Sequence, residues 1–63
     1  MIVIKGDVKK GIEISFWLRS QGLVHDKDYT WHTKSRTREH PYDCVVFTAK
    51  ESKWESAIAL RYS

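Results

Sequence analysis

The run CVVF at residues 44–47 is the most apolar stretch of this 63-residue chain, and the fold is predicted outward from it. Short continuous runs of β-branched and aromatic residues are typical of a strand that is buried on both faces. A helix is disfavoured just before this run, because His40 precedes Pro41 and a residue before proline avoids helical backbone angles. We therefore predict a central strand over residues 42–48.

Two outer strands are predicted on the N-terminal side of this run. β-branched residues open the chain and end at Gly6, which predicts a strand over residues 2–5. Aromatic and β-branched residues that alternate with polar ones predict another strand over residues 28–34.

Two helices complete the predicted elements. Val8, Ile12 and Phe16 recur every four residues, which predicts a helix over residues 8–21 with these side chains on its buried face. A second helix is predicted over residues 50–61, and two successive capping boxes, at residues 48–51 and 52–55, leave its start open. The predicted core joins these helices to the central strand through Phe16, Val45 or Val46, Trp54 and Ile58.

The order strand, helix, strand, strand, helix predicts an α+β fold of two layers in a single domain, residues 1–63. The third strand is expected to lie antiparallel between the other two, with both helices on one face of the sheet. In element order the chain resembles a ferredoxin-like unit that lacks its last strand. The second face of the sheet is then open. We expect Trp31 to face the core and Lys34 to lie on the open face, since burying a lysine is costly. The alternative places His32 and Lys34 over the helices and leaves Tyr29 and Trp31 exposed.

Basic or titratable side chains occupy alternate positions in one short stretch, and they are His32, Lys34, Arg36, Arg38 and His40. In an extended chain these side chains share a face, roughly 6.5–7 Å apart, and they suit a row of phosphates or carboxylates. The alternative is a turn within residues 35–38, which scatters them over a solvated loop. The predicted contact residues are His32, Lys34, Arg36 and Arg38, with Trp31 and Tyr42 as nearby aromatics.

Size and composition favour binding over catalysis. A domain of 63 residues has little room for an enclosed active site, and no enzymatic activity is expected. The net charge of +3 permits an acidic partner without demanding one. Cys44 is the single cysteine, which excludes an intrachain disulfide and suits a reducing compartment. No apolar run approaches the length of a membrane span, so a cytoplasmic protein without membrane contact is predicted.

No metal or cofactor is predicted. The histidines at 25, 32 and 40 and Cys44 are irregularly spaced, whereas structural zinc sites show two tight pairs of ligands. Lys9 and Lys10 lie between two glycines before the first helix, but no Walker pattern follows. A tight turn with solvated lysines is therefore predicted there, with weak anion binding as the alternative.

The last seventeen residues, FTAKESKWESAIALRYS, resemble the C-terminal segments of very short proteins encoded by tailed bacteriophages. The resemblance rests on Trp54, Leu60, Arg61, Tyr62 and Ser63. It implies a small accessory protein that binds a host or phage macromolecule in the host cytoplasm.

The sequence thus predicts a small non-enzymatic binding protein, an inhibitor or modulator that contacts a protein with an acidic patch. The alternative is an RNA- or DNA-binding module that uses residues 32–40. A homodimer also stays open, because a short sheet has unpaired edges and an open face that a second copy can cover.

Overall fold

A computed structural model describes residues 1–39 and 41–62 of the chain. The elements are β1 (Ile2–Lys5), α1 (Val8–Ser20), β2 (Tyr29–Lys34), β3 (Cys44–Ala49) and α2 (Ser52–Tyr62). Their order and type confirm the predicted βαββα fold, and each boundary lies within two residues of its predicted position. Neither helix is long and apolar enough to cross a membrane, within the part of the chain that the structure describes.

The three strands form one antiparallel sheet with the order β1-β3-β2, so the apolar run lies in the central strand as predicted. In this register Val45 pairs with Ile4 of β1 and Phe47 pairs with Trp31 of β2. Alternate residues of β3 point to opposite faces. Val45 and Phe47 belong to the core beneath the helices, while Val46 lies on the second face.

Both helices pack on the same face of the sheet. The buried core comprises Ile4, Ile14, Leu18, Leu23, Tyr29, Val45, Phe47, Ala49 and Ile58, with Trp17, Trp31 and Trp54 half-buried against it. Helix α1 lies over β2 and β3, and α2 lies over β1 and β3. The predicted core positions of Val45, Trp54 and Ile58 are confirmed.

The predicted buried face of α1 is wrong. Phe16 is 62% exposed, and Val8 and Ile12 are exposed as well. Helix α1 instead buries Gly11, Ile14 and Leu18, which also follow helical spacing. The helix thus carries two apolar stripes, and the stripe with the glycine lies against the sheet because it leaves room for a neighbouring side chain.

Polar contacts fix the ends of the elements. The Asp7 carboxylate caps α1 by accepting hydrogen bonds from the backbone N–H groups of Lys9 and Lys10, at 3.1 and 3.4 Å. Helix α2 begins at Ser52, two residues later than predicted. Its Glu55 carboxylate accepts hydrogen bonds from the N–H of Ala49 and from the N-terminal ammonium, which ties the chain start to α2.

Candidate binding surface

The open face of the sheet carries two of the predicted contact residues, as expected. His32 and Lys34 are exposed there. Val46 of β3 lies between Val3 of β1 and His32 of β2, and it is only 4% exposed although no helix covers it. Met1 and Cys44 complete this shallow, mainly apolar depression.

The row of alternating cations ends at Lys34. Lys34, the last residue of β2, pairs with Cys44, the first residue of β3, so the residues after Lys34 have no neighbouring strand to keep them extended. Arg36 turns back onto Asp43, whose Oδ1 accepts a hydrogen bond from the Arg36 N–H at 3.0 Å. Its guanidinium Nη2 also lies 3.7 Å from Asp43 Oδ2. The alternative prediction, a turn that scatters the cations, therefore describes this segment better than a single straight row.

The remaining predicted contact residues lie apart from one another. Arg38 is exposed in the segment between β2 and β3, and His40 lies outside the described residues. Trp31 points to the helix side of β2, where its indole stacks on Phe47 with ring centroids 5.6 Å apart. It does not lie beside His32 and Lys34, since adjacent residues of a strand point to opposite faces.

Arg36 and Tyr42 come together in an open cleft of about 650 Å³ at one end of the sheet. The cleft also contains the cationic side chains of Lys5, Lys9 and Lys10. The Lys5 ammonium lies 3.6 Å from the centroid of the Tyr42 ring, within cation–π range. We name the group Lys5, Lys9, Lys10, Arg36 and Tyr42 the basic cleft.

Three carboxylates lower the net positive charge of the basic cleft. Asp43 engages Arg36, and the Glu13 carboxylate lies 3.4 Å from the Lys10 ammonium. One carboxylate oxygen of Asp7 accepts the hydrogen bonds that cap α1. The carboxylate thereby occupies the N–H groups of Lys9 and Lys10, which an anion at this helix terminus would otherwise contact.

The basic cleft is a product of tertiary structure. The Asp43 carbonyl accepts a hydrogen bond from the Gly6 N–H at 3.0 Å, which joins the loop after β1 to the start of β3. Tyr42 and Arg36 thereby lie near Lys5 and the first turn of α1. Sequence reasoning missed Lys5 as a contact residue, because the register between β1 and β3 sets its position beside Tyr42.

One carboxyl group elsewhere has a shifted pKa. The hydrogen bond from the N-terminal ammonium, and then that from the Ala49 N–H, hold the pKa of Glu55 below its usual range. This group lies at the start of α2 and away from the basic cleft. Its role is to fasten the first residue of the chain to the helix layer.

Metal ligands do not cluster in residues 1–39 and 41–62: no three His, Cys, Asp or Glu side chains there lie close enough together to hold an ion. His25 lies in the turn before β2, beside the Tyr29 ring, whereas Cys44 pairs with Lys34 at the other end of that strand.

Comparison with protein-family models, with curated proteins and with solved structures found no match to the chain.

Proposed function

We propose that this chain is a small non-enzymatic binding protein that contacts an acidic surface of another protein through the basic cleft. The observation that carries the proposal is the meeting of four cationic side chains, Lys5, Lys9, Lys10 and Arg36, around one open cleft with an exposed tyrosine. Arginine and lysine with an aromatic neighbour are suited to carboxylate-bearing surfaces. Tyr42 is 53% exposed and can supply apolar contact area at little entropic cost.

A protein partner fits the cleft better than a nucleic-acid backbone. Asp7, Glu13 and Asp43 lie among the cations of the cleft, and this mixture of charges suits a protein surface with scattered carboxylates better than an unbroken row of phosphates. Single-stranded nucleic acids also favour free aromatic faces for base stacking. One face of Tyr42 is already covered by Lys5, and Trp31 is stacked on Phe47 beneath α1.

The proposed biological role is that of an inhibitor or modulator in the cytoplasm. This part of the proposal rests on the resemblance of the C-terminal segment to short phage proteins, and on the small size of the domain. A protein of this kind acts by occupying a surface of its partner, so it needs a contact area and no reactive group.

The test measures binding of two probes of equal length and charge, an oligoglutamate peptide and an oligothymidylate. The variant Lys5→Ser/Arg36→Ser removes two charges from the basic cleft. The control Lys50→Ser/Lys53→Ser removes two charges at the opposite end of the sheet. We expect the cleft variant to bind the peptide at least about tenfold more weakly, a loss of roughly 1.4 kcal/mol, and the control to bind normally.

Two results would contradict the proposal. Equal loss of peptide binding in both variants would show that only net charge matters. Tighter binding of the oligothymidylate, with affinity falling by about 0.7 logarithmic unit per neutralised phosphate for each tenfold rise in salt, would favour the nucleic-acid alternative.

A further inference from the structure

We propose that a second copy of this chain pairs with the free edge of β2, giving a symmetric dimer with one continuous six-stranded sheet. The edge combines unpaired backbone groups with an uncovered apolar stripe of α1. This surface is distinct from the basic cleft, and the inference does not depend on the proposed partner.

Strand β2 is an edge of the sheet, because β3 pairs with it on one side only. The Tyr29 carbonyl accepts a hydrogen bond from the Asp26 N–H at 2.7 Å, on the side away from β3. The Asp28 carbonyl accepts one from Lys50 on the side of β3. Backbone groups alternate along an antiparallel strand, so those of Trp31 and Thr33 point outward like those of Tyr29.

The turn before β2 restricts the pairing register. The Asp26 N–H already occupies the outward carbonyl of Tyr29, and His25 forms a bridge with the same residue. A second strand can therefore use only Trp31 and Thr33. An antiparallel copy satisfies both when Trp31 of one copy lies opposite Thr33 of the other, with the twofold axis passing between the two His32 residues.

The same register brings the exposed apolar residues of α1 together. Val8 and Thr33 line one small depression, while Ile12 and Trp31 line another. When Thr33 of one copy lies opposite Trp31 of the other, Val8 therefore lies toward Ile12 of the second copy. The helix and strand positions thus agree on one twofold arrangement.

Charges along the edge are compatible with self-pairing. In this register Lys34 lies opposite Thr30, so the two lysines stay apart. Val8 and Ile12 are uncharged, so their contact brings no like charges together.

The buried area suits a weak dimer. The usable edge is about 15 Å long, and sheet and helix layers together present a surface of about the same height. An edge of these dimensions covers roughly 200 Å² on each copy, well below the size of a standard stable interface, so the four backbone hydrogen bonds between the strands carry most of the association. The association is consequently reversible and concentration-dependent.

The first test is analytical ultracentrifugation of the 7.4 kDa chain from about 10 µM to about 1 mM, the range in which a weak interface associates. We expect the wild-type mass to rise from monomer toward dimer. Thr33→Pro removes an outward N–H without breaking a bond to β3, and Ile12→Lys charges the stripe. Both variants should remain monomeric with unchanged circular dichroism. Leu60→Lys, at an 89% exposed site on α2, should associate like the wild type.

A cross-linking test checks the register. In a Cys44→Ser background, His32→Cys places two thiols on the twofold axis with Cα atoms about 4.5 Å apart, within disulfide range. Thr30→Cys lies on the same face of the same strand, but its two copies are separated by about 13 Å. We expect a covalent dimer on oxidation of His32→Cys and little from Thr30→Cys.

The proposal is overturned if the wild type stays monomeric up to about 1 mM, or if Thr33→Pro and Ile12→Lys associate like the wild type. Equal cross-linking of the two cysteine variants overturns it as well. A monomeric wild type would show that a second copy of this chain does not bind the β2 edge.

Discussion

The indole of Trp31 lies directly against the backbone of Gly11. A Cβ added to Gly11 would come within 2.1 Å of Trp31 Cζ3, far inside any normal contact. The missing side chain therefore allows α1 to approach β2 and lets Trp31 stack on Phe47. This contact decides which of the two apolar stripes of α1 meets the sheet.

We expect Gly11→Ala to destabilise the protein by about 1–3 kcal/mol, because the added methyl group overpacks the contact with the indole. Helix propensity alone predicts the opposite sign, a gain of up to about 1 kcal/mol. The free energy of unfolding from chemical denaturation shows which of these two effects, overpacking or helix propensity, is the larger. The double variant Gly11→Ala/Trp31→Leu should lose less than the sum of its single changes, since the smaller side chain relieves the clash. A stabilised Gly11→Ala protein would show that α1 does not pack as described.

Truncation of the two stripes of α1 should have unequal effects. Leu18→Ala should cost about 2–5 kcal/mol, because it leaves a cavity in the core. Phe16→Ala should change stability by about 0.5 kcal/mol or less, because the ring is mostly in solvent. Thermal unfolding of both variants at low protein concentration checks the assignment. A larger loss of stability from Phe16→Ala than from Leu18→Ala would show that the buried face of α1 is the one that contains Phe16, as the sequence periodicity predicted.

The wrong prediction for Phe16 shows that sequence patterns located the helix but did not determine which of its sides is buried. Strand and helix positions follow from local patterns of apolar, β-branched and breaker residues, and these were predicted to within two residues. The buried side of α1 depends on a contact between Gly11 and Trp31, which are twenty residues apart in sequence. Helical periodicity alone supports either stripe, so the choice requires the tertiary contact.

The candidate site was predictable to a similar degree. Alternation correctly placed His32 and Lys34 on the open face, because both lie in β2. It failed for Arg36, because β2 ends where β3 begins and the following chain folds back onto Asp43. The proximity of Lys5 to Tyr42 depends on strand register, which no local pattern encodes.

Glu55 should make stability depend on pH at the acidic end. Its pKa is lowered in the folded protein, so its contribution is fully present above the ordinary glutamate pKa of about 4.3. The contribution shrinks as the pH falls below that value and is lost below the folded-state pKa. Glu55→Gln keeps an acceptor for the Ala49 N–H but removes the charge that holds the N-terminal ammonium. The free-energy difference between wild type and variant should therefore narrow with acidification. A difference that stays constant from about pH 7 to about pH 2 would contradict the tie between Glu55 and the chain start.

Asp43 should restrain the binding activity proposed for the basic cleft. Its carboxylate engages both the N–H and the guanidinium of Arg36. Asp43→Asn retains an acceptor for the N–H but removes the competing negative charge, so Arg36 becomes more available to an acidic partner. We expect this variant to associate faster with the oligoglutamate peptide at low salt, and Arg36→Ser to associate more slowly.

Surface plasmon resonance over a salt series measures both association rates, and they should converge as screening increases. Asp26→Asn serves as the control, because it removes one negative charge at the opposite end of the sheet, in the turn before β2. If Asp26→Asn speeds association as much as Asp43→Asn does, net charge alone sets the association rate. The Asp43 carboxylate then does not limit the availability of Arg36 to the peptide. A faster rate confined to Asp43→Asn would locate peptide binding at the basic cleft, because only there does the lost carboxylate pair with a cleft cation.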